Sequence, residues 1–215
     1  MRRVEQKGCY MSQGRFIVFE GLDGAGKTTQ LELMEKHLRD QGRQVWRTAE
    51  PTVSVTGGLL RDALGGISQR SACELAAMFT LDRIFHNVNP VNGIKKILAE
   101  GMDVLCDRYY YSSMAYQGSE TDADWVRRMN LDCPEIRRPD LCIFLDLTPE
   151  QSMERILHNR AAREIYETRE RLESVRDRFY RVIEELKNEE NIVVVDASRT
   201  VEEIHREICG ILDEM

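Results

Sequence analysis

The sequence predicts an α/β fold: one central sheet of five parallel strands with helices on both faces. Three observations carry that prediction. Five short apolar runs, at 15–20, 44–48, 103–107, 141–147 and 191–196, have strand length and alternate with segments of helical period. The first run passes through a glycine-rich turn straight into a helix pattern. The chain has 215 residues, 42% of them hydrophobic, enough to fill the core of one compact domain.

The first run, Arg15-Phe16-Ile17-Val18-Phe19-Glu20, leads into Gly21-Leu22-Asp23-Gly24-Ala25-Gly26-Lys27-Thr28-Thr29. This fits G-x-x-x-x-G-K-[ST], in the strand–turn–helix setting that the pattern requires. Glycines let successive N–H groups close around an anion, and the helix N-terminus adds partial positive charge. Lys27 has the reach for β- and γ-phosphates, and the Thr28 hydroxyl suits Mg²⁺. An ordinary glycine turn is the alternative. With this loop, the fold becomes the three-layer α/β/α sandwich of P-loop NTPases.

The following helix carries Leu31, Met34 and Leu38 at helical spacing, and Gly42 stops it. Strand 44–48 ends before Glu50-Pro51-Thr52, where Pro51 forbids a regular element. Gly57-Gly58 is expected to open a short helix carrying Leu59, Leu60, Arg61 and Leu64. Residues 71–85 and 91–100 read as helices, separated by Asn89-Pro90. Strand 103–107 ends in Asp107, a position suited to a Mg²⁺-linked aspartate; a helix cap is the alternative. Residues 109–118 and 122–131 read as helices. Strand 141–147 runs into Thr148-Pro149-Glu150, a helix start with Thr as cap and Pro at the first helical position. Strand 191–196 and helix 200–212 close the pattern, with Val201, Ile204, Ile208 and Ile211 along one face.

Residues 155–181 are dense in Arg and Glu. Arg160-Ala161-Ala162-Arg163-Glu164 sits between two helical segments, where arginines would close over phosphates as a lid at about 155–168. A solvated helical face with i,i+4 ion pairs is the competing reading. The net charge of −7 argues against a protein that coats nucleic acid. No apolar run has membrane-spanning length, and residues 1–13 lack the apolar core of a secretory signal. That segment is expected to be a poorly ordered extension, with Met11 an alternative start. The six cysteines are scattered without a C-x-x-C pair, so core thiols and a cytoplasmic location are expected. The four histidines show no metal-ligand spacing.

Four segments resemble thymidylate kinase, the family that phosphorylates dTMP to dTDP with ATP and Mg²⁺. They are Phe19 through Thr29; Phe79-Thr80-Leu81-Asp82-Arg83 with His86; Asp107-Arg108-Tyr109-Tyr110-Tyr111-Ser112-Ser113-Met114-Ala115-Tyr116-Gln117-Gly118; and Arg138-Pro139-Asp140-Leu141. The resemblance covers 14–215. It implies ATP binding by Gly21, Leu22, Asp23, Gly24, Ala25, Gly26, Lys27, Thr28 and Thr29, and Mg²⁺ held by Thr28 and, through water, Asp107. It implies that Arg108 holds the dTMP phosphate, with Asp23 orienting it and contacting the sugar. Phe79 would stack on thymine, Arg83 would donate to a base carbonyl, and Ser113 and Gln117 would contact the base edge. Tyr116 would crowd the 2′ position. For Phe79 alone, core packing competes. Glu50 and Arg61 match positions near sugar and phosphate, with a turn residue and an exposed charge as their alternatives.

Two departures stand out. Ala49-Glu50-Pro51-Thr52 lacks the arginine and paired glycines many bacterial members carry there, which bears on acceptor-phosphate binding. Gly24 stands where some members place a basic residue, which points to a catalytic arginine from the lid, Arg160 or Arg163. The family also implies a homodimer. Other readings are a related deoxynucleotide or deoxynucleoside kinase, a DNA-stimulated ATPase and a non-catalytic nucleotide binder.

Overall fold

The computed structural model describes residues 13–159 and 168–215. Five parallel strands form one sheet: β1 (Phe16–Gly21), β2 (Val45–Ala49), β3 (Asp103–Asp107), β4 (Leu141–Asp146) and β5 (Ile192–Asp196). Their order is β2-β3-β1-β4-β5, with β1 at the centre. Every residue of β1 is buried, as a strand covered on both faces requires. Its side chains alternate between two cores. Phe16 and Val18 join one core, and Ile17 and Phe19 the other.

Nine helices lie among the described residues. They are α1 (Lys27–Asp40), α2 (Val55–Leu64), α3 (Ala72–Val88), α4 (Ile94–Ala99), α5 (Tyr110–Glu120), α6 (Ala123–Leu131), α7 (Pro149–Asn159), α8 (Arg169–Leu186) and α9 (Val201–Asp213). Leu31, Met34 and Leu38 of α1 pack with Ile204, Ile208 and Leu212 of α9 over one sheet face. Val201, expected on that buried stripe, is exposed, and Leu212 takes a place in it instead. On the other face, α8 buries Leu172, Val175, Phe179, Val182 and Leu186, a 3.6-period stripe that packs against α5.

Two helix starts differ from expectation. Helix α2 begins at Val55, not at Gly57, because the Ser54 hydroxyl accepts a hydrogen bond from the Gly57 N–H and caps the helix two residues earlier. Gly57 has another purpose: a Cβ there would lie 1.8 Å from the Thr52 carbonyl oxygen. Helix α4 begins at Ile94, not Val91. The Asn89 side chain accepts from the N–H groups of Val91 and Asn92, folding that stretch into a turn.

The expected N-terminal extension, apart from residue 13, and most of the expected lid, including Arg160 and Arg163, lie outside the described residues. No helix of the described residues is long and apolar enough to cross a membrane.

Candidate active site

The carboxyl ends of β1, β2 and β3 meet where the phosphate-loop motif turns, the position at which parallel α/β sheets bind ligands. Gly21, Gly24 and Gly26 all have positive φ, at 141°, 79° and 91°. At Gly21 a Cβ would stand 2.5 Å from the Leu145 carbonyl oxygen, so only glycine fits. The cap of α1 is Gly26, which offers no side chain to its free N–H groups, and the first turn holds no acidic residue. The positive end of α1 is therefore left for an anion.

Lys27 is buried beneath this loop and donates to the carbonyl oxygens of Gly21 and Leu22, each at 3.1 Å. Burial, and then the charge of Arg108, lower its pKa to about 8. At neutral pH it therefore keeps most of its charge. Thr28 and Thr29 are exposed at the start of the helix. Beside them, the Asp107 Oδ1 atom is buried and has no hydrogen-bond partner among the described residues. A carboxylate oxygen held this way next to a free hydroxyl is a hard donor set that fits Mg²⁺ and its water.

Arg108 follows directly and has φ 66°, the left-handed region, the only non-glycine residue described there. Its N–H is pinned by the Phe19 carbonyl at 2.9 Å. Its guanidinium donates to Asp23 Oδ1 at 2.5 Å and to Ser112 Oγ at 2.9 Å, and lies over the Tyr116 ring at 5.4 Å. Strain of this kind persists only where the surroundings enforce it. Much of the enforcement comes from Glu20, which the sequence reading did not single out. Its buried carboxylate accepts from the N–H of Tyr109 (2.8 Å) and from the N–H and hydroxyl of Ser112 (3.1 and 2.7 Å). It thus caps α5, whose own cap residue, Tyr109, supplies no side-chain bond. Burial raises the Glu20 pKa, against the opposing charge of Arg108.

Two cavities adjoin here. One, of about 490 Å³, is lined by Gly24, Gly26, Lys27, Thr28, Thr29 and Asp107. The other, of about 260 Å³, is lined by Phe79, Arg83, Ser113, Tyr116 and Gln117. Both include Asp23, Glu50, Pro51 and Arg108. Sequence-predicted residues for two different ligands are thereby sorted into two neighbouring volumes. Phe79 and Tyr116 are half-buried, with ring surface turned to the second cavity. A third cavity, of about 620 Å³, lies along β2 and α3 and meets this region through Thr28, Ala49, Pro51 and Asp107.

Arg83 lines the second cavity and is held there by a buried carboxylate. It is 1% exposed, and Glu50 Oε2 accepts from its Nε at 2.8 Å and lies 2.7 Å from Nη2. It also donates to Ser113 Oγ at 3.1 Å and to Asn130 Oδ1. His86 Nδ1 lies 2.9 Å from the other Glu50 oxygen, and its Nε2 lies 2.7 Å from Thr48 Oγ1. Glu50 is thus the counter-ion that fixes Arg83 at the wall of the cavity. Buried Asp82 fixes the neighbouring segment, accepting from the Thr52 N–H and from the hydroxyls of Thr52, Ser54 and Thr56. Thr52 belongs to the 49–52 segment, and Ser54 and Thr56 lie just beyond it.

Arg61 lines neither of the two adjoining cavities; it donates to the carbonyls of Pro51 (3.2 Å) and Thr52 (2.5 Å). Gly21 and Leu22 supply carbonyls to Lys27, and Leu22 and Ala25 are buried behind the loop. Arg155, which sequence reasoning missed, lines the first cavity and donates to the carbonyls of Gly24 and Ala197. Its only signal was a place inside the arginine-rich stretch. Asn130 gave no signal, and Asp82 stood in a resemblance segment without a role of its own, since their partners lie far away in sequence.

A family model for thymidylate kinase matches residues 19–208. A protein of Methanococcus aeolicus named "probable thymidylate kinase" is 38% identical over 201 residues, covering 90% of this chain and 93% of that one. A protein of Methanocaldococcus jannaschii with the same description is 35% identical over 204 residues, covering 94% and 97%. A protein of Fervidobacterium nodosum named "thymidylate kinase" is 32% identical over 200 residues, covering 92% and 98%.

Proposed function

The chain belongs to the thymidylate kinase family, and from that premise we propose that it transfers the γ-phosphate of ATP to dTMP, giving ADP and dTDP, within the two adjoining cavities. The observation that carries the assignment of sites is the shared wall. The Asp23–Arg108 pair borders both cavities, so one guanidinium faces two phosphate groups that would otherwise repel.

ATP phosphates lie on the N–H groups of 21–29 at the start of α1, with Lys27 reaching the β- and γ-phosphates. The Thr28 hydroxyl and, through water, Asp107 would hold Mg²⁺, which would supply charge neutralisation across those phosphates. dTMP fills the smaller cavity, thymine on the Phe79 ring, its edge toward Arg83, Ser113 and Gln117. Tyr116 crowds the 2′ position, and Asp23 accepts from the sugar hydroxyl. Glu50 acts through Arg83, which it holds in place. An oxygen of the dTMP phosphate attacks the γ-phosphorus in line, and the bond from that phosphorus to the ADP oxygen breaks. The acceptor oxygen is already ionised, so no strong base is needed; the protein positions the groups and neutralises charge. Arg160 or Arg163 supplies further positive charge in this reading. Gly24 supports a source outside the loop. Its φ is 79°, and a Cβ added there would lie 3.1 Å from the Ser152 carbonyl oxygen, so a side chain is disfavoured.

The reading extends to a cytoplasmic homodimer. The five described cysteines are free thiols, as suits a reducing compartment. Leu81, Phe85 and Val88 form an exposed apolar row on α3, with exposed Val55 and Leu59 on α2, the helix packed against it.

Chromatographic analysis of a reaction containing the protein, ATP·Mg²⁺ and dTMP tests the reaction itself. dTDP and ADP are expected in equal amounts. ADP without dTDP would show hydrolysis and refute it.

A further inference from the structure

Away from the nucleotide cavities, His37 of α1 meets His205 and Cys209 of α9. The ligand atoms of all three lie within 4.8 Å of one another, half-buried. His205 and Cys209 are four residues apart and share a helix face. The His37 and His205 rings stand edge to face, 5.9 Å between centroids. We infer that these three side chains form a site for a thiophilic divalent cation of the Zn²⁺ type, a site distinct from the oxygen-lined Mg²⁺ position.

Geometry supports the assignment. Zn–N bonds of about 2.0 Å and Zn–S bonds of about 2.3 Å at a tetrahedral angle put the two donor atoms about 3.5 Å apart. Cys209 Sγ lies 3.5 Å from His205 Nε2 and 3.9 Å from its Nδ1, so the separation already suits a shared ion, and a turn of the imidazole is what aims its lone pair there. His37 has its ligand atom within 4.8 Å of the other two, and side-chain rotation has to close what remains. Two imidazoles and a thiolate select zinc-like ions over Mg²⁺, and three protein ligands leave one position for water. The Gln41 side-chain N–H stands 3.1 Å from His37 Nε2, so the amide has to turn its oxygen toward the ring, or give way, for His37 to offer a lone pair to an ion.

The ion would tie α1 to α9 about 15 Å along α1 from Lys27, clear of both substrates. Co²⁺ titration of the full chain in Mg²⁺-saturated buffer tests this. One equivalent should produce a thiolate-to-cobalt charge-transfer band. Cys209→Ser should abolish the band, and Cys73→Ser, at an exposed thiol, should leave it. His37→Gln and His205→Gln should each raise the half-saturating Co²⁺ by about tenfold or more, and they carry the test should Cys209→Ser fail to fold. A band that survives Cys209→Ser, affinities unchanged in both histidine variants, or no thiolate band in the unmodified chain would overturn the assignment.

Discussion

Arg108 combines a catalytic assignment with a strained backbone, and two substitutions separate the two. Its guanidinium bonds Asp23 and Ser112 at the boundary of both cavities, and its φ is 66°. Arginines that stabilise a phosphoryl group in flight are worth about 10³–10⁵ in rate, so Arg108→Ala and Arg108→Gly should each lower kcat by about 10³-fold or more, roughly 4 kcal/mol of barrier. ATP affinity should change little, because the loop N–H groups and Lys27 remain. Stability should differ between the two variants. The left-handed conformation costs a non-glycine residue about 1–2 kcal/mol, while glycine loses about 0.4–1 kcal/mol more backbone freedom on folding. The Gly variant should therefore be the more stable by about 0.5–1 kcal/mol, a rise of about 1–4 °C in Tm for a chain of this size. The lost Asp23 contact affects both alike and is partly solvent-exposed, worth at most about 1 kcal/mol. A coupled ADP assay, ATP titration calorimetry and thermal melts give the three quantities. Turnover of dTMP within tenfold of the unmodified protein would refute the assigned role. An Ala variant as stable as the Gly variant would refute the backbone argument.

Arg83→Ala leaves the Glu50 carboxylate buried without its guanidinium, so unfolding free energy should fall by about 3 kcal/mol or more and dTMP affinity should fall with it; denaturant unfolding with and without dTMP measures both. An unchanged midpoint would contradict the buried pairing. The charged form of Lys27 binds triphosphate, so kcat/KM for ATP should decline as pH rises through about 8, while kcat, which reports the bound state, should stay level further. In stability the sign is opposite. The folded pKa lies below the ordinary 10.5, the unfolded chain binds more protons between about 8 and 10.5, and the Lys27 contribution rises with pH across that window. Lys27→Met should remove that rise in pH-dependent unfolding. Asp107→Asn should raise the half-saturating Mg²⁺ concentration by about tenfold or more in steady-state assays, with little change in melting temperature.

The strands and the phosphate loop were legible because their determinants are local. A five-residue apolar run or a glycine at fixed spacing announces itself in one stretch of chain. Ser54 and Asn89 changed helix starts through side-chain bonds to backbone three residues away or fewer, a subtler local signal than the glycines beside them. Distant pairings gave no such signal. Arg83 lines the cavity where its expected role would put it, but its ion-pair partner Glu50 lies 33 positions away, and nothing in either stretch announces that pair. Glu20 reads as the polar end of a strand and becomes the cap of a helix 89 positions later only because β1 and β3 are neighbours. The candidate site was legible mainly where a motif placed several functional residues together, as in 107–118.

Acceptor choice tests the central claim most directly. kcat/KM would be measured by ADP release from ATP·Mg²⁺ with dTMP, dUMP, dGMP, dCMP, AMP and thymidine in turn. The cavity of Phe79, Arg83, Ser113, Tyr116 and Gln117 predicts clear preference for dTMP, loss with purine and cytosine nucleotides, and none of the reaction with thymidine, which brings no phosphate to Arg108. Equal or greater turnover of another of these acceptors would contradict the assignment of that cavity to thymidylate.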